Sequence, residues 1–184
     1  NIQQRTGKYA AVNIFFKQAK SSVLVLASAD IMLDKHAIES LCMPFSAPEV
    51  GMAACRPVPV NRKDSLIGYA VHMEWQLHHE LSKARPKFGE MVAFRNVVKD
   101  LPPTLVDEEE IASRIKQLGY NLRYVPEAII YNKGPESIAD FIKQRRRIYA
   151  GHLALKKTGY EVITLSSLRV LKAAVISPRI LDLG

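Results

Sequence analysis

Three groups of side chains in this 184-residue chain have types and spacing suited to chemistry. Residues 107–110 (DEEE) are four consecutive carboxylates, and residues 144–147 (QRRR) place three arginines behind a glutamine. Asp30 closes the stretch VLVLASAD. A carboxylate can take the proton of an attacking hydroxyl, while guanidinium forks pair bidentately with phosphate oxygens. An acid at a strand end can hold Mg2+ or Mn2+, hard cations that prefer oxygen ligands and bridge phosphates. Such an ion takes up the charge that develops on a departing diphosphate. Together the parts describe metal-assisted diphosphate departure with base-activated attack. Each also has a plainer reading. Acids at a helix start suit the helix dipole, an arginine run suits a solvated or nucleic-acid-binding face, and Asp30 can begin a turn and cap the helix behind it.

The elements that must position these groups follow from patterning. Residues 9–19 read as a helix rich in alanine and aromatic residues. Val23 to Ala27 is a continuous apolar run that fits a strand of a parallel sheet buried on both faces, with Asp30 at its carboxyl end, where open α/β sheets place ligands. Residues 35–41 predict a helix, 50–60 a strand shut down by Pro57 and Pro59, and 64–84 a long helix. On that helix His72, Gln76 and His79 share a face near His78 and Glu80; a polar helix face explains them better than a metal site. Residues 88–95 form a loop and strand in which Gly89 permits close backbone approach to a ligand. A helix spans 109–118 with Gly119 as its C-cap. Two short strands are expected, 121–125 ended by Pro126 and 128–131 ended by the NKGP turn, and a helix runs from Ser137 to about Ala150. The acid and arginine ends of 107–148 can thus be brought back together.

Composition sets the bounds. At 48% hydrophobic, the chain can bury one sizeable core. Its net charge of +8 suits nucleic acid, an anionic membrane surface or phosphorylated ligands without choosing among them. Cys42 and Cys55 sit in no CxxC spacing and read as reduced, intracellular thiols. No signal-peptide pattern opens the chain, and no stretch reaches the roughly 20 apolar residues that cross a bilayer. After Gly151 the character changes: residues 160–175 put Leu165, Leu168, Leu171 and Val175 on one stripe beside Arg169 and Lys172. A basic amphipathic helix of this kind lies either in a membrane interface or on the domain's own core.

The ordered set GKYAAVN, VLVLASAD, GEMVAFR, DEEEIASRIKQLGYNLRYVPEA, KGPES and QRRRI resembles the inverting family 2 glycosyltransferases of the GT-A fold, especially the membrane-associated polysaccharide synthase branch. The resemblance covers about residues 5–151. It implies an α/β, Rossmann-like, mostly parallel sheet flanked by helices, with residues 1–151 as the later part of a catalytic domain and 152–184 as a basic helical tail. The family's nucleotide-binding start is expected to be missing, so that this polypeptide alone turns over poorly. By the same resemblance Asp30 matches the last carboxylate of the DxD metal motif, with Ser28 at its first position. Glu108 takes the place of the catalytic base, and Asp107 is a close rival. Gln144 and Arg147 match the QxxRW motif, Ile148 standing where tryptophan is usual. With Arg146, Lys8 and Gly89 they make up the implied donor-diphosphate and acceptor set. The implied cofactor is Mg2+ or Mn2+. The implied partners are a nucleotide-sugar donor, a glycan or lipid-linked acceptor and a membrane surface, at the cytoplasmic side of the cell membrane.

Two other classes compete. ASADIML is similar to the acceptor-aspartate strand of phospho-receiver domains, but the paired acids and later lysine of that fold are not apparent. A non-catalytic basic module would bind anionic lipid or nucleic acid through residues 145–147 and the tail, with steep salt dependence.

Overall fold

The computed structural model describes residues 7–176. Its elements in chain order are α1 (Lys8–Gln18), β1 (Val23–Ala27), β2 (Ile31–Leu33), α2 (Ala37–Cys42), β3 (Val50–Pro59), α3 (Leu66–Ala84), β4 (Met91–Arg95), α4 (Asp107–Gln117), β5 (Asn121–Asn132), α5 (Ile138–Lys156) and α6 (Ser167–Ile176). The strands form one five-stranded sheet in the order β1-β4-β3-β5-β2.

The sheet is mixed, not mostly parallel. Only β3 and β5 run parallel; β1–β4, β3–β4 and β2–β5 are antiparallel. The apolar run of β1 does not specify a doubly buried parallel strand, because β1 is an edge strand and only Leu24 in it is fully buried. The strand buried on both faces is β3. Its Met52 and Ala54 face one core with α1 and α4, while Ala53 and Cys55 face the other with α2. Residues alternate in the same way along β4, Val92 and Phe94 against Met91 and Ala93. Cys42 and Cys55 are free thiols, and burial pushes the Cys55 thiol up to about 12.

The two strands expected at 121–131 are one, β5. Pairing steps from Ala54–Tyr124 to Arg56–Ile129, so residues 125–128 bulge out of the ladder and Pro126 costs it no hydrogen bond. β2 was not visible as a strand in the sequence, being three residues long with two exposed. It changes the meaning of Asp30. β1 and β2 lie at opposite edges, so residues 28–30 must cross the ends of the strands between them. Asp30 therefore sits in this crossing and caps no helix; Asp34 precedes α2 instead, accepting from the His36 N–H at 3.3 Å.

Several motif residues are structural. Asn13 of GKYAAVN clamps the loop ahead of α4 by donating to the Leu101 carbonyl (2.9 Å) and accepting from its N–H (2.7 Å). Arg95 of GEMVAFR donates to the carbonyls of Val50, Phe45 and Ala47 and stacks on the Phe45 ring. Asn61 holds the KGPES turn through both its amide groups on Gly134. Ser137 caps α5, accepting from the Asp140 N–H at 3.1 Å.

The composition change at Gly151 falls inside α5, which continues to Lys156, and Tyr160, Val162 and Ile163 are buried beyond it. In the following stripe Leu165 packs on the core, whereas Leu168 and Leu171 are exposed on α6. The side chain of Val175 lies outside the described residues. No helix among the described residues is long and apolar enough to cross a membrane.

Candidate active site

The start of α4 carries no side-chain cap, and four acids occupy its first turn, offsetting the exposed N–H groups of the helix. The fold gives them separate tasks. Glu110 pairs with Arg114 at 3.1 Å along the helix. Glu109 is buried and accepts the Phe88 N–H at 3.1 Å, fixing the loop that leads into β4. Burial raises its pKa, opposed by that hydrogen bond and by Lys87. Asp107 is buried at the first helical position with Oδ1 unpartnered; burial, then Glu108, push its pKa up. Glu108 opens onto a cavity, which Glu109 also borders, and pairs there with the Lys8 ammonium at the start of α1.

That cavity, of about 180 Å³, is lined by Glu108, Lys8, Ser28, Gly89, Gln144 and Arg147. Two segments 36 or more residues apart in sequence, the start of α4 and the middle of α5, thereby meet, because α5 packs Gly151 against Leu105 and Val106 just ahead of α4. The acid and base ends expected to converge do so. Three placements differ from the expected set. Arg146 faces a neighbouring cavity with Tyr149, Thr164 and Leu165. Asp107 does not line the Glu108 cavity, although its charge and that of Arg147 influence each other. Asp30 is exposed at the crossing, outside the lining, and close enough to Glu90 to raise its pKa.

Glu90 is the site residue that sequence reasoning missed. It is the one non-glycine residue with positive φ (55°) among those described. Its carbonyl receives the Ser28 N–H at 2.7 Å, and its side chain bonds Asn132 at the end of β5. Burial first, then Asp30 and Glu108, push its pKa up. A non-glycine residue held in the left-handed region costs of order 1–2 kcal/mol and is commonest where function requires it. Gly89 has open space where a Cβ would stand, so its lack of a side chain leaves the cavity wall clear. The only sequence signal for Glu90 was its place after that glycine.

α3, the loop after it and the end of α5 complete the wall with Glu74, Trp75, His78, Lys87 and His152. Arg145 is consumed by Glu74 and also donates to Gln144 Oε1 at 3.1 Å, so it positions Gln144. Burial pulls the Lys87 pKa down to about 8, with Glu109 opposing. The histidines of α3 do not form a metal face. His72 bonds the Asn61 carbonyl, His79 the Tyr124 hydroxyl, and His78 turns to the cavity.

No group of three or more His, Cys, Asp or Glu side chains among the described residues could enclose a metal ion. Asp30 with Glu90 offers two carboxylates, the set by which a hard cation is bound together with substrate phosphates and water. The residues fit a cation that arrives with a diphosphate, and they do not fit a fully protein-ligated one.

The family model described as "Glycosyltransferase like family 2" matches residues 1–151. The chain belongs to this family. A curated relative, an N-acetylglucosaminyltransferase of Azorhizobium caulinodans, is 22% identical over 79% of this chain and 42% of its own length. Among solved structures, a mannosyltransferase of Pyrobaculum calidifontis in complex with GDP-Man and Mn2+ matches 99% of this chain and 56% of its own, with a TM-score of 0.66 and 19% identity. A mycobacterial protein matches 83% of this chain and 52% of its own, with a TM-score of 0.57 and 16% identity. These likenesses establish the GT-A fold. The chain spans about half the length of the proteins it matches.

One consequence of this family 2 site is a pH-dependent stability. Burial, then Lys87 and Arg145, hold His152 down to about 4 from 6.5. Between those values the unfolded chain binds the proton and the folded one refuses it. The stabilising contribution is therefore full above pH 6.5 and is lost as pH falls toward 4. His152→Gln should flatten the dependence: urea midpoints at about pH 7 and about pH 5 should differ less in the variant than in the parent protein. Parallel shifts in both would show that His152 does not contribute.

Proposed function

We propose that this cavity transfers a sugar from a nucleotide-sugar donor to a hydroxyl of a glycan or lipid-linked acceptor, with inversion at the anomeric carbon. One observation carries the reading: a carboxylate, Glu108, and the cations Arg147, Lys87 and Lys8 line a single cavity. Glu108 takes the acceptor hydroxyl proton, and the hydroxyl oxygen forms its bond to the anomeric carbon on the face away from the diphosphate. The carbon–oxygen bond to the diphosphate breaks with its electron pair on the leaving oxygen. Arg147 and Lys87 balance that charge as it develops. Gln144, fixed by Arg145, orients the acceptor. The Pyrobaculum relative's Mn2+ supports a divalent cation here as well; Asp30 and Glu90 would hold it, and its chemistry would be charge neutralisation of the diphosphate.

Glu90→Gly tests that assignment separately from folding. Glycine accepts φ 55° without cost, which offsets the lost bond to Asn132, so stability should change by no more than about 1 kcal/mol, while transfer falls about tenfold or more. A loss of melting temperature with activity retained would place Glu90 in the scaffold instead.

The exposed Leu168 and Leu171 of α6, beside Arg169 and Lys172, support a peripheral position on the cytoplasmic membrane face. The test of the reaction is made on the whole natural protein with Mn2+ and a panel of sugar nucleotides, following nucleoside diphosphate release and the anomeric configuration of the product by NMR. Release with a product of opposite configuration to the donor is expected. Retention, or no release with any donor, would overturn it.

A further inference from the structure

Trp75 is the single tryptophan of the chain and lies on α3, a helix whose sequence pattern pointed only to polar histidines. It is half-buried and lines the same cavity as Glu108, Gln144 and Ile148. Its ring meets the His78 ring at 5.1 Å with a tilt of 57°. His78 is held uncharged by burial, and its Nδ1 lies 3.4 Å from the Ser82 hydroxyl. This part of the wall is therefore aromatic and neutral, although charged groups of both signs line the rest. Beside it Glu74, the residue before Trp75, anchors Arg145, and Arg145 fixes the Gln144 carbonyl. The result is a flat apolar plate with a polar rim.

A pyranose ring has the complementary surface: a C–H face and a rim of hydroxyls. A charged or purely polar ligand would gain nothing from the plate, whereas a sugar's C–H face replaces water there. We propose that Trp75, with Ile148 beside it, is the platform on which the acceptor sugar lies, its reactive hydroxyl turned to Glu108. This rests on the sugar-transfer reading above and names the residue that selects the acceptor.

The experiment has two arms. In this chain Trp75 is the only tryptophan, so its emission reports directly on the cavity. Mannobiose and chitobiose, titrated separately, should give a saturable change with at least one of them that UDP and GDP do not reproduce. In the whole natural protein, Trp75→Ala should raise the acceptor KM about fivefold to tenfold. Trp75→Phe should recover most of the loss. Emission that responds to the nucleotides and to neither disaccharide would make Trp75 a base-stacking residue and overturn the proposal. So would an acceptor KM unaltered in both variants. Failure of the wild-type protein to release nucleoside diphosphate from any donor would instead remove the sugar-transfer reading itself. If Trp75→Ala does not fold, Trp75→Phe and Trp75→Leu carry the comparison, and equal KM values for those two also overturn the platform.

Discussion

Glu108→Gln should lower kcat by about 10²–10⁴-fold, the usual worth of a positioned general base, while leaving nucleotide affinity nearly unchanged. Glutamine keeps the size of the side chain and its hydrogen bond to the hydroxyl but cannot accept the proton. The variant should fold, since what it loses structurally is a partly exposed pair with Lys8, worth about 1 kcal/mol or less. Asp107→Asn is the control. Both acids begin α4, and the sequence left them as rivals for the base; the cavity is lined by Glu108 and not by Asp107. Its cost should be about tenfold or less, through the electrostatics of its neighbours. Steady-state rates for the two variants side by side decide the matter, and a larger loss in Asp107→Asn would reverse the assignment.

Arg147→Ala should reduce kcat/KM by about 10²–10³-fold, comparable to removing one donor aimed at developing negative charge. The arginine run is not three equivalent charges. Arg145 borders both cavities but is spent on Glu74, Arg146 faces the neighbouring cavity, and Arg147 lines the cavity with Glu108. Arg145→Ala should lower stability, because it leaves Glu74 unpaired in a half-buried position, and should touch the rate only through the loosened Gln144. Arg147→Lys should recover only part of the lost rate, since an ammonium cannot form the paired bonds of the guanidinium fork. Comparing kcat/KM with melting temperature across the three arginines separates these roles. An equal rate loss at all three positions would mean a diffuse basic surface.

How much of this was legible in the sequence depends on the range of the interactions involved. The helices at 9–19, 64–84 and 109–118 were visible because their apolar spacing is local, and so was the pairing of 107–110 with 144–147 once ordered motifs marked the ends. Strand direction was not visible. The run Val23 to Ala27 has the same composition whether it pairs parallel or antiparallel, and its edge position depends on β4, more than 60 residues away. Pro126 read as a strand end because a proline lacks a ladder donor; the bulge against β3 that accommodates it is a tertiary fact. Glu90 and Trp75 were missed for related reasons. The left-handed backbone of Glu90 follows from the crossing of residues 28–30, and Trp75 on an amphipathic helix reads as core until the cavity beside it is known.

The central claim is a division of labour within one cavity: Glu108 moves the proton, and Arg147 holds the diphosphate. Calorimetric titration of nucleoside diphosphate with Mn2+ into the whole natural protein and into Glu108→Gln and Arg147→Ala tests it most directly. The parent protein and Glu108→Gln should bind alike, and Arg147→Ala should bind at least about tenfold more weakly, the loss of one charge-assisted contact. Unchanged affinity in Arg147→Ala, or lost affinity in Glu108→Gln, would contradict the account.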